Sequence, residues 1–161
     1  MERIYRDQRQ AFWPLTSAEY ANAQLRLRVF FAANPMTIES IRAFCLSLPH
    51  AAEDVKWESN LCFLIGGKMF AIVDLESASP RLAFKCTPEA AADLVEVAGI
   101  IPAPYLARYH WVSIVSPDAL RDQQVRECLK ASYELVKAAL PRKAREALET
   151  APKRIKAKSR G

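Results

Sequence analysis

Few polar side chains in this 161-residue sequence are spaced in a way that supports catalysis. His50 is followed by Glu53 and Asp54, but adjacent carboxylates point apart on most backbones and make a poor acid–base pair. Gly66-Gly67-Lys68 has the composition of a phosphate-binding turn, yet it is shorter than a P-loop. Motifs of serine hydrolases, zinc proteases and dinucleotide-binding enzymes are absent from the sequence. We therefore expect a protein that is not an enzyme.

The four cysteines are the other groups with intrinsic reactivity. They lie far apart, form no CxxC pair and have apolar neighbours, which predicts buried thiols in a reducing compartment. Cys86 directly precedes a helix start, which can lower a thiol pKa, but its strand phase places it inward with Leu82 and Phe84. With only two histidines as further ligands, we expect neither a metal site nor a cofactor.

Binding of nucleic acid is suggested by the net charge of +5, but this charge is unevenly distributed. Residues 1–35 hold five basic and three acidic side chains, and residues 36–151 hold thirteen basic and fifteen acidic ones. The last ten residues hold five basic side chains and no acid. The excess positive charge therefore belongs to the tail, and the central part of the chain is slightly acidic.

Three segments follow from this distribution and from the hydrophobic pattern: an N-terminal extension (1–35), one domain (36–150) and a basic, disordered tail (151–161). Two interpretations of the extension stay open. Translation starts at Met36 and the first 35 residues are not made, or they form an extension that packs on the domain or stays mobile. The sequence has no apolar run of membrane-spanning length, so we expect a cytoplasmic protein without a membrane partner.

The first half of the domain predicts one helix and a β-meander. Thr37 is a good N-cap for a helix that Pro49 ends, and residues 50–58 are polar and loop-like. Two apolar runs flank Gly66-Gly67, as in a β-hairpin, and residues 81–86 alternate like a half-buried strand. These runs predict three antiparallel strands joined by short loops.

The second half predicts two helices and a further strand. Thr87-Pro88-Glu89 is a strong helix start, and Gly99 is expected to end that helix. An extended, proline-rich segment follows, and then residues 110–115, whose apolar groups on both faces predict an inner strand. Ser116-Pro117-Asp118 starts a final helix that runs to Leu140.

A set of landmarks in this order resembles the YjbR/MmcQ family of small bacterial proteins. They are Val55-Lys56-Trp57, residues 63–71 (FLIGGKMFA), Leu82-Ala83-Phe84-Lys85-Cys86, Pro102-Ala103-Pro104-Tyr105, His110-Trp111-Val112 and Ser132-Tyr133-Glu134-Leu135-Val136. The resemblance implies an α+β fold of two layers, in which helices cover one face of an antiparallel sheet, as in CyaY-like proteins. It also implies a double-wing DNA-binding role, in which β-hairpins act as wings.

If DNA is bound, the basic side chains near the predicted hairpins and in the tail are the ones that would contact phosphates, weakly and without sequence specificity. These candidates are Lys68, Arg81, Lys85, Arg108, Lys153, Arg154, Lys156 and Lys158. The alternative is a module that binds a small ligand or a protein, through the open sheet face or through a groove that Trp57, Tyr105 and His110 would rim. A contiguous basic face would favour DNA, and scattered charge around an apolar cleft would favour the alternative.

Overall fold

A computed structural model of the chain describes residues 37–77 and 81–151. The expectations for residues 1–35 and for the basic side chains from Lys153 onward lie outside this part of the chain. The helices are α1 (Ile38–Ser47), α2 (Pro88–Leu94), α3 (Asp122–Ala138) and α4 (Arg142–Thr150). The strands are β1 (Ala52–Lys56), β2 (Asn60–Ile65), β3 (Lys68–Asp74), β4 (Arg81–Lys85), β5 (Ile100–Pro102) and β6 (Trp111–Ile114).

The six strands form one antiparallel sheet in the order β1-β2-β3-β4-β6-β5. The meander and the further strand are confirmed, and β6 occupies the inner position that its two apolar faces predict. β1 and β5 are the two edges. Because the helices pack against one face, the two-layer α+β architecture is confirmed.

Two strands were not anticipated. Residues 50–58 were predicted to be a loop, but β1 pairs with β2 from Ala52↔Leu64 to Lys56↔Asn60. β1 shows no alternation of apolar and polar residues. It is an edge strand held by its backbone pairing with β2, and its side chains are half-buried or exposed. The extended segment after Gly99 supplies β5, which pairs with β6.

The helix starts are set by their caps. The Thr37 and Thr87 hydroxyls accept hydrogen bonds from the backbone amides of Ser40 and Ala90, as expected for N-caps. α3 begins at Asp122, later than the predicted start at Ser116-Pro117-Asp118, because these residues form a separate turn in which the Ala119 amide donates to the Ser116 carbonyl at 3.1 Å. No helix in the described ranges is both long and apolar enough to cross a membrane.

The main core lies between the sheet and the helices. Its largest fully buried side chains come from β2, β3, β4 and α3, and the Phe70 ring meets Tyr133 edge-on at 5.5 Å. Tyr133 then donates a hydrogen bond of 2.6 Å to the carbonyl of Pro49, which ties α3 to the end of α1. The predicted inward orientation of Cys86 is confirmed, since only 5% of that residue is exposed.

A second apolar cluster lies on the opposite face of the sheet. Cys62, Ile72, Ala103 and Trp111 are buried there, and Leu106 packs against them. The prediction that all four cysteines are buried is confirmed. No described helix covers this face of the sheet, but its middle is apolar and buried.

Candidate functional site

The sheet register decides which of the basic candidates are neighbours. Arg81 and Lys85 begin and end β4, and both project from the face opposite the helices, like Ala83 between them. Four residues of extended strand separate them by about 13 Å. Arg81 lies opposite Asp74 in the β3–β4 pair, and the Asp74 carboxylate accepts hydrogen bonds from the Ser77 hydroxyl and the Glu76 amide. We call the two ends of the sheet the Arg81 end and the Lys85 end.

Lys68 lies at the Lys85 end but on the other face. It pairs with Ile65, whose side chain is buried in the helix-side core. The turn between them carries Gly66 and Gly67, both with positive φ, and Gly66 lies against Leu140 beyond α3. The wing arrangement requires one contiguous basic face, which the structure does not contain at these positions. Strand alternation puts Lys68 on the other face, and the length of β4 separates Arg81 from Lys85.

The three expected groove residues are also divided between the two ends. Trp57 lies in the β1–β2 turn at the Arg81 end, with 65% of its surface exposed. Tyr105 and His110 lie in the β5–β6 connection, whose last residue adjoins Lys85-Cys86: the amide of Cys86 donates to the carbonyl of His110 at 2.9 Å. The structure therefore does not form one groove rimmed by all three side chains.

The β5–β6 loop, residues 103–110, is a compact series of hydrogen-bonded turns. The amides of Leu106, Tyr109 and His110 donate to the carbonyls of Ala103, Leu106 and Ala107 at 2.9–3.1 Å. Ala103 and Leu106 anchor it to the second apolar cluster, beside Trp111. Tyr105 and His110 have left-handed backbones, with φ of +64° and +63°. A bulky residue in that region is strained, and such residues often occur at functional sites.

Five residues lie in this loop or donate a hydrogen bond to it, and we call them the loop surface: Lys85, Tyr105, Arg108, Tyr109 and His110. The Lys85 ammonium donates a hydrogen bond of 2.9 Å to the Tyr109 carbonyl. The Arg108 guanidinium lies 4.7 Å from the centroid of the Tyr109 ring, which is a cation–π contact. Tyr109 is 48% exposed and Tyr105 is 97% exposed.

The outer face of the loop favours an anion, whereas on the helix side Glu134 and Lys85 line the same cavity. From Val97 to Pro117 the sequence contains no Asp or Glu. On the same sheet face, the carboxylates of Asp54 and Asp74 lie on β1 and at the Arg81 end, away from Lys85. Asp54 is moreover paired with Lys56 at 3.0 Å. The loop surface therefore presents aromatic rings and two permanent positive charges to solvent.

An apolar cavity of about 350 Å³ lies on the helix side of the same end, between the end of β4 and α3. It is lined by Phe84, Lys85, Cys86, Thr87, Cys128, Ala131, Glu134, Leu135 and Ala138. Its volume is at the lower end of the range for small-molecule sites. Lys85 borders both this cavity and the loop surface.

The groups that could react or hold a metal are not poised for it. Burial raises the pKa of the Cys45 and Cys86 thiols to about 12, and burial also raises the pKa of Cys62 and Cys128. Only a thiolate is a good nucleophile, and burial disfavours that form at all four cysteines. Within residues 37–77 and 81–151, no cluster of three or more His, Cys, Asp or Glu side chains is placed to bind a metal ion.

Sequence reasoning selected Lys85, Tyr105, Arg108 and His110 but missed Tyr109. The only sequence signal for it is the long stretch without acids around Tyr-Leu-Ala-Arg-Tyr-His. The cavity was also missed, because the residues that line it from the end of β4 and from α3 are more than 40 positions apart in the chain.

Comparisons with known proteins give consistent results. The sequence model of the YjbR family matches residues 46–135. Proteins described as uncharacterized protein YjbR from Escherichia coli K12 and O157:H7 are each 27% identical over 116 residues, which cover 70% of this chain and 98% of theirs. A crystal structure of a Deinococcus radiodurans protein superposes with a TM-score of 0.66 and 27% identity, over 80% of this chain and 99% of that one. A Pseudomonas syringae structure shares the fold, with a TM-score of 0.54 and 18% identity over 62% and 98% of the two chains.

Proposed function

The chain belongs to the YjbR family, and we propose that it is a non-enzymatic, cytoplasmic protein that binds DNA weakly through the loop surface. The main support for this proposal is the stacking of Arg108 on the exposed Tyr109 ring, beside the Lys85 ammonium. A guanidinium fixed on a ring keeps its N–H donors available for phosphate oxygens, and less side-chain freedom is lost on binding. Four buried, unpaired thiols fit a reducing compartment.

The hairpin cations do not form the contiguous basic face that would favour DNA, so we assign the DNA contact to the smaller basic cluster of Lys85 and Arg108 at one corner of the sheet. Arg81 lies about 13 Å from Lys85 along β4 and faces Asp74, so its contribution to phosphate binding is small. Lys68 lies on the opposite face. The basic side chains of the tail add a non-specific attraction, because each phosphate they neutralise releases counterions.

The test is fluorescence anisotropy of a labelled DNA duplex with the full-length protein at several salt concentrations. Arg108→Ala should weaken binding roughly 3- to 10-fold at low salt and reduce the salt slope by about one. Arg81→Ala is the matched control, since it removes the same charge from the same sheet face at the far end, and it should have little effect. Equal losses for the two variants would return the wings to the mechanism.

The contribution of the tail is measured with the same titration. Replacing Lys153, Arg154, Lys156 and Lys158 by Gln in the full-length chain should lower the affinity and the salt slope without removing the effect of Arg108→Ala. If these replacements abolish binding and Arg108→Ala is silent, then the tail alone binds DNA and the loop surface does not.

The cavity supports a second candidate function, the binding of a small apolar ligand. Its apolar walls carry Lys85 and Glu134 at the margin, where they would orient a polar end of the ligand. Anilinonaphthalene sulfonate, an apolar anion, should fluoresce on binding to the native protein. Ala131→Phe fills the cavity and should abolish this signal with the native fold intact by circular dichroism. An unchanged signal would exclude the cavity as the site.

A further inference from the structure

We propose, on the basis of the proposed function, that the loop surface selects single-stranded over duplex DNA and that Tyr105 and Tyr109 each stack on an unpaired base. Tyr105 is the most exposed large hydrophobic residue among those described, with 97% of its surface in water. Its ring makes almost no contact with the folded chain. An aromatic ring displayed in this way offers both faces to a partner with a flat apolar surface.

The ring is displayed by a rigid support. Tyr105 has a left-handed backbone and an exposed side chain, and the next amide, that of Leu106, donates a hydrogen bond of 3.1 Å to the Ala103 carbonyl. Ala103 is buried in the second apolar cluster, and Leu106 is half-buried against that cluster. Because the loop is already folded, little conformational entropy is lost when a base stacks on the ring.

Tyr109 provides a second platform next to a charge. About half of its surface is exposed, and Arg108 lies over its ring while Lys85 donates to its carbonyl. Proteins hold single strands with aromatic side chains next to basic ones. The aromatic ring stacks on a base, and the basic group binds the phosphate.

The balance of rings and charges argues against a duplex as the preferred ligand. Duplex binding depends on many phosphate contacts, and the loop surface has only Lys85 and Arg108 as permanent cations. Residues 36–151 carry a net charge of −2 from thirteen basic and fifteen acidic side chains. In a duplex the faces of the bases are already stacked on each other, so exposed tyrosines gain nothing there. In a single strand those faces are free.

The experiment compares a labelled single strand with a labelled duplex of the same sequence and length, with the full-length protein at fixed salt. The wild-type protein should bind the single strand at least 10-fold more tightly. Tyr105→Ala should weaken single-strand binding by roughly 5- to 150-fold with an unchanged salt slope, because it removes stacking and no charge. Tyr105→Phe should restore most of the affinity. Trp57→Ala, which removes an exposed ring at the Arg81 end, is the control and should have no effect.

The outcomes separate this inference from the proposed function. Duplex binding as tight as single-strand binding, with Arg108→Ala still harmful, would overturn the single-strand preference and leave DNA binding in place. Equal affinities of wild type and Tyr105→Ala for the single strand would overturn the stacking role. If neither DNA is bound at low salt, both proposals fail together. Tyr105 makes few contacts, so an unchanged melting temperature will show that a loss is not due to unfolding.

Discussion

The hydroxyl of Ser132 joins a helix to two strands. It is fully buried, donates a hydrogen bond of 2.6 Å to the Phe70 carbonyl and accepts one of 3.0 Å from the Lys85 amide. The register of the β2–β3 pair shifts next to Phe70. The Phe70 carbonyl and the Lys85 amide therefore lie where the regular hydrogen-bond ladder is interrupted. The side chain of one residue on α3 thus completes the hydrogen bonding of the sheet.

Ser132→Ala should therefore lower the free energy of unfolding by about 1–3 kcal/mol, because it leaves a buried carbonyl and a buried amide without partners. Urea denaturation monitored by circular dichroism measures this loss. Ser47→Ala is the matched control: its hydroxyl donates to the Phe44 carbonyl at an exposed helix end and should cost less than about 0.5 kcal/mol. Equal losses would mean that Ser132 is not needed at the strand irregularity.

Arg42 and Glu53 tie α1 to the edge strand β1 through two hydrogen bonds, of 2.6 and 2.5 Å. The bonds to the Arg42 guanidinium hold the pKa of Glu53 below its ordinary value of 4.5. The pair therefore stabilises the folded state above pH 4.5, and this contribution is lost as the pH falls through the lowered pKa.

The melting temperature of the wild-type protein should fall as the pH is lowered from about 5 towards 3, the range in which carboxylates titrate. The melting temperature of Glu53→Gln should fall less steeply over that interval. That of Arg42→Gln should do the same, because either substitution removes the ion pair. Both side chains are partly exposed, so the effect is screened and will be clearest at low salt. Parallel curves for all three proteins would contradict the linkage.

Individual residues were predicted well where strand alternation alone decides burial. Cys86 is inward, as its phase with Leu82 and Phe84 predicts. The environment of Lys85 was not predictable, because its partners Tyr109 and Ser132 lie on a loop and a helix that are distant in the chain. Only the tertiary pairing of β4 with β6 brings Lys85 beside Tyr109.

At the scale of elements, the β2–β3 turn fixes the sheet to the end of α3. Gly66 and Gly67 both have positive φ, of +57° and +78°, which suits a two-residue hairpin turn. A Cβ on Gly66 would lie 2.7 Å from a methyl carbon of Leu140, whereas a Cβ on Gly67 would meet nothing within 4 Å. The two adjacent glycines therefore differ in packing and share the same backbone requirement.

Gly67→Ala should destabilise the fold by about 1–2 kcal/mol from backbone strain alone. Gly66→Ala should cost about 1–3 kcal/mol more, because it also overpacks against Leu140. In a Leu140→Ala background the clash is removed, and Gly66→Ala should then cost as much as Gly67→Ala. Urea denaturation of the wild type and the four variants gives the cycle, and equal costs for both glycines in the wild-type background would contradict the packing argument.

Elements with strong end signals were predictable, and those without them were not. The threonine N-caps of α1 and α2 were identified correctly from the sequence. The end of α2 was placed too late, at Gly99. The helix ends at Leu94 because the amides of Glu96 and Val97 turn to carbonyls three residues back, in a tighter turn. β1 has no apolar alternation, so only its partner strand reveals it.

At the scale of the whole molecule, burial protects every cysteine. All four thiols lie in one of the two apolar clusters, and the pKa of Cys45 and of Cys86 is raised to about 12. At about pH 8, Ellman's reagent should label almost no thiol in the folded protein. After denaturation in urea it should label all four. Rapid labelling of even one native thiol would contradict this burial.

The same burial sets an alkaline limit to stability. A thiol whose pKa is raised from 9.0 to about 12 keeps its proton in the folded chain and releases it in the unfolded one. Its stabilising effect is complete below pH 9 and is lost as the pH rises towards 12. The melting temperature should therefore fall from pH 9 upward, and Cys45→Ala should reduce the slope. Identical slopes would assign the alkaline loss to other groups.

Most helices and strands followed from local sequence signals, and the two-layer architecture was implied by the family resemblance, but the geometry of the site followed from neither. The sequence selects basic and aromatic residues correctly as exposed groups, such as Arg81, Arg108 and Tyr105. It gives no distance between them, because strand length and pairing place Arg81 and Lys85 at opposite ends of the sheet. The site is thus a property of the assembled sheet.

The two edges of the sheet determine how this domain behaves among its own copies. β5 has three residues and includes Pro102, which cannot donate a backbone hydrogen bond, and β1 carries Glu53, Asp54 and Lys56. Charged side chains and proline at open edges block the addition of a strand from a neighbouring molecule. Both edges are therefore poor templates for sheet growth between copies of the domain.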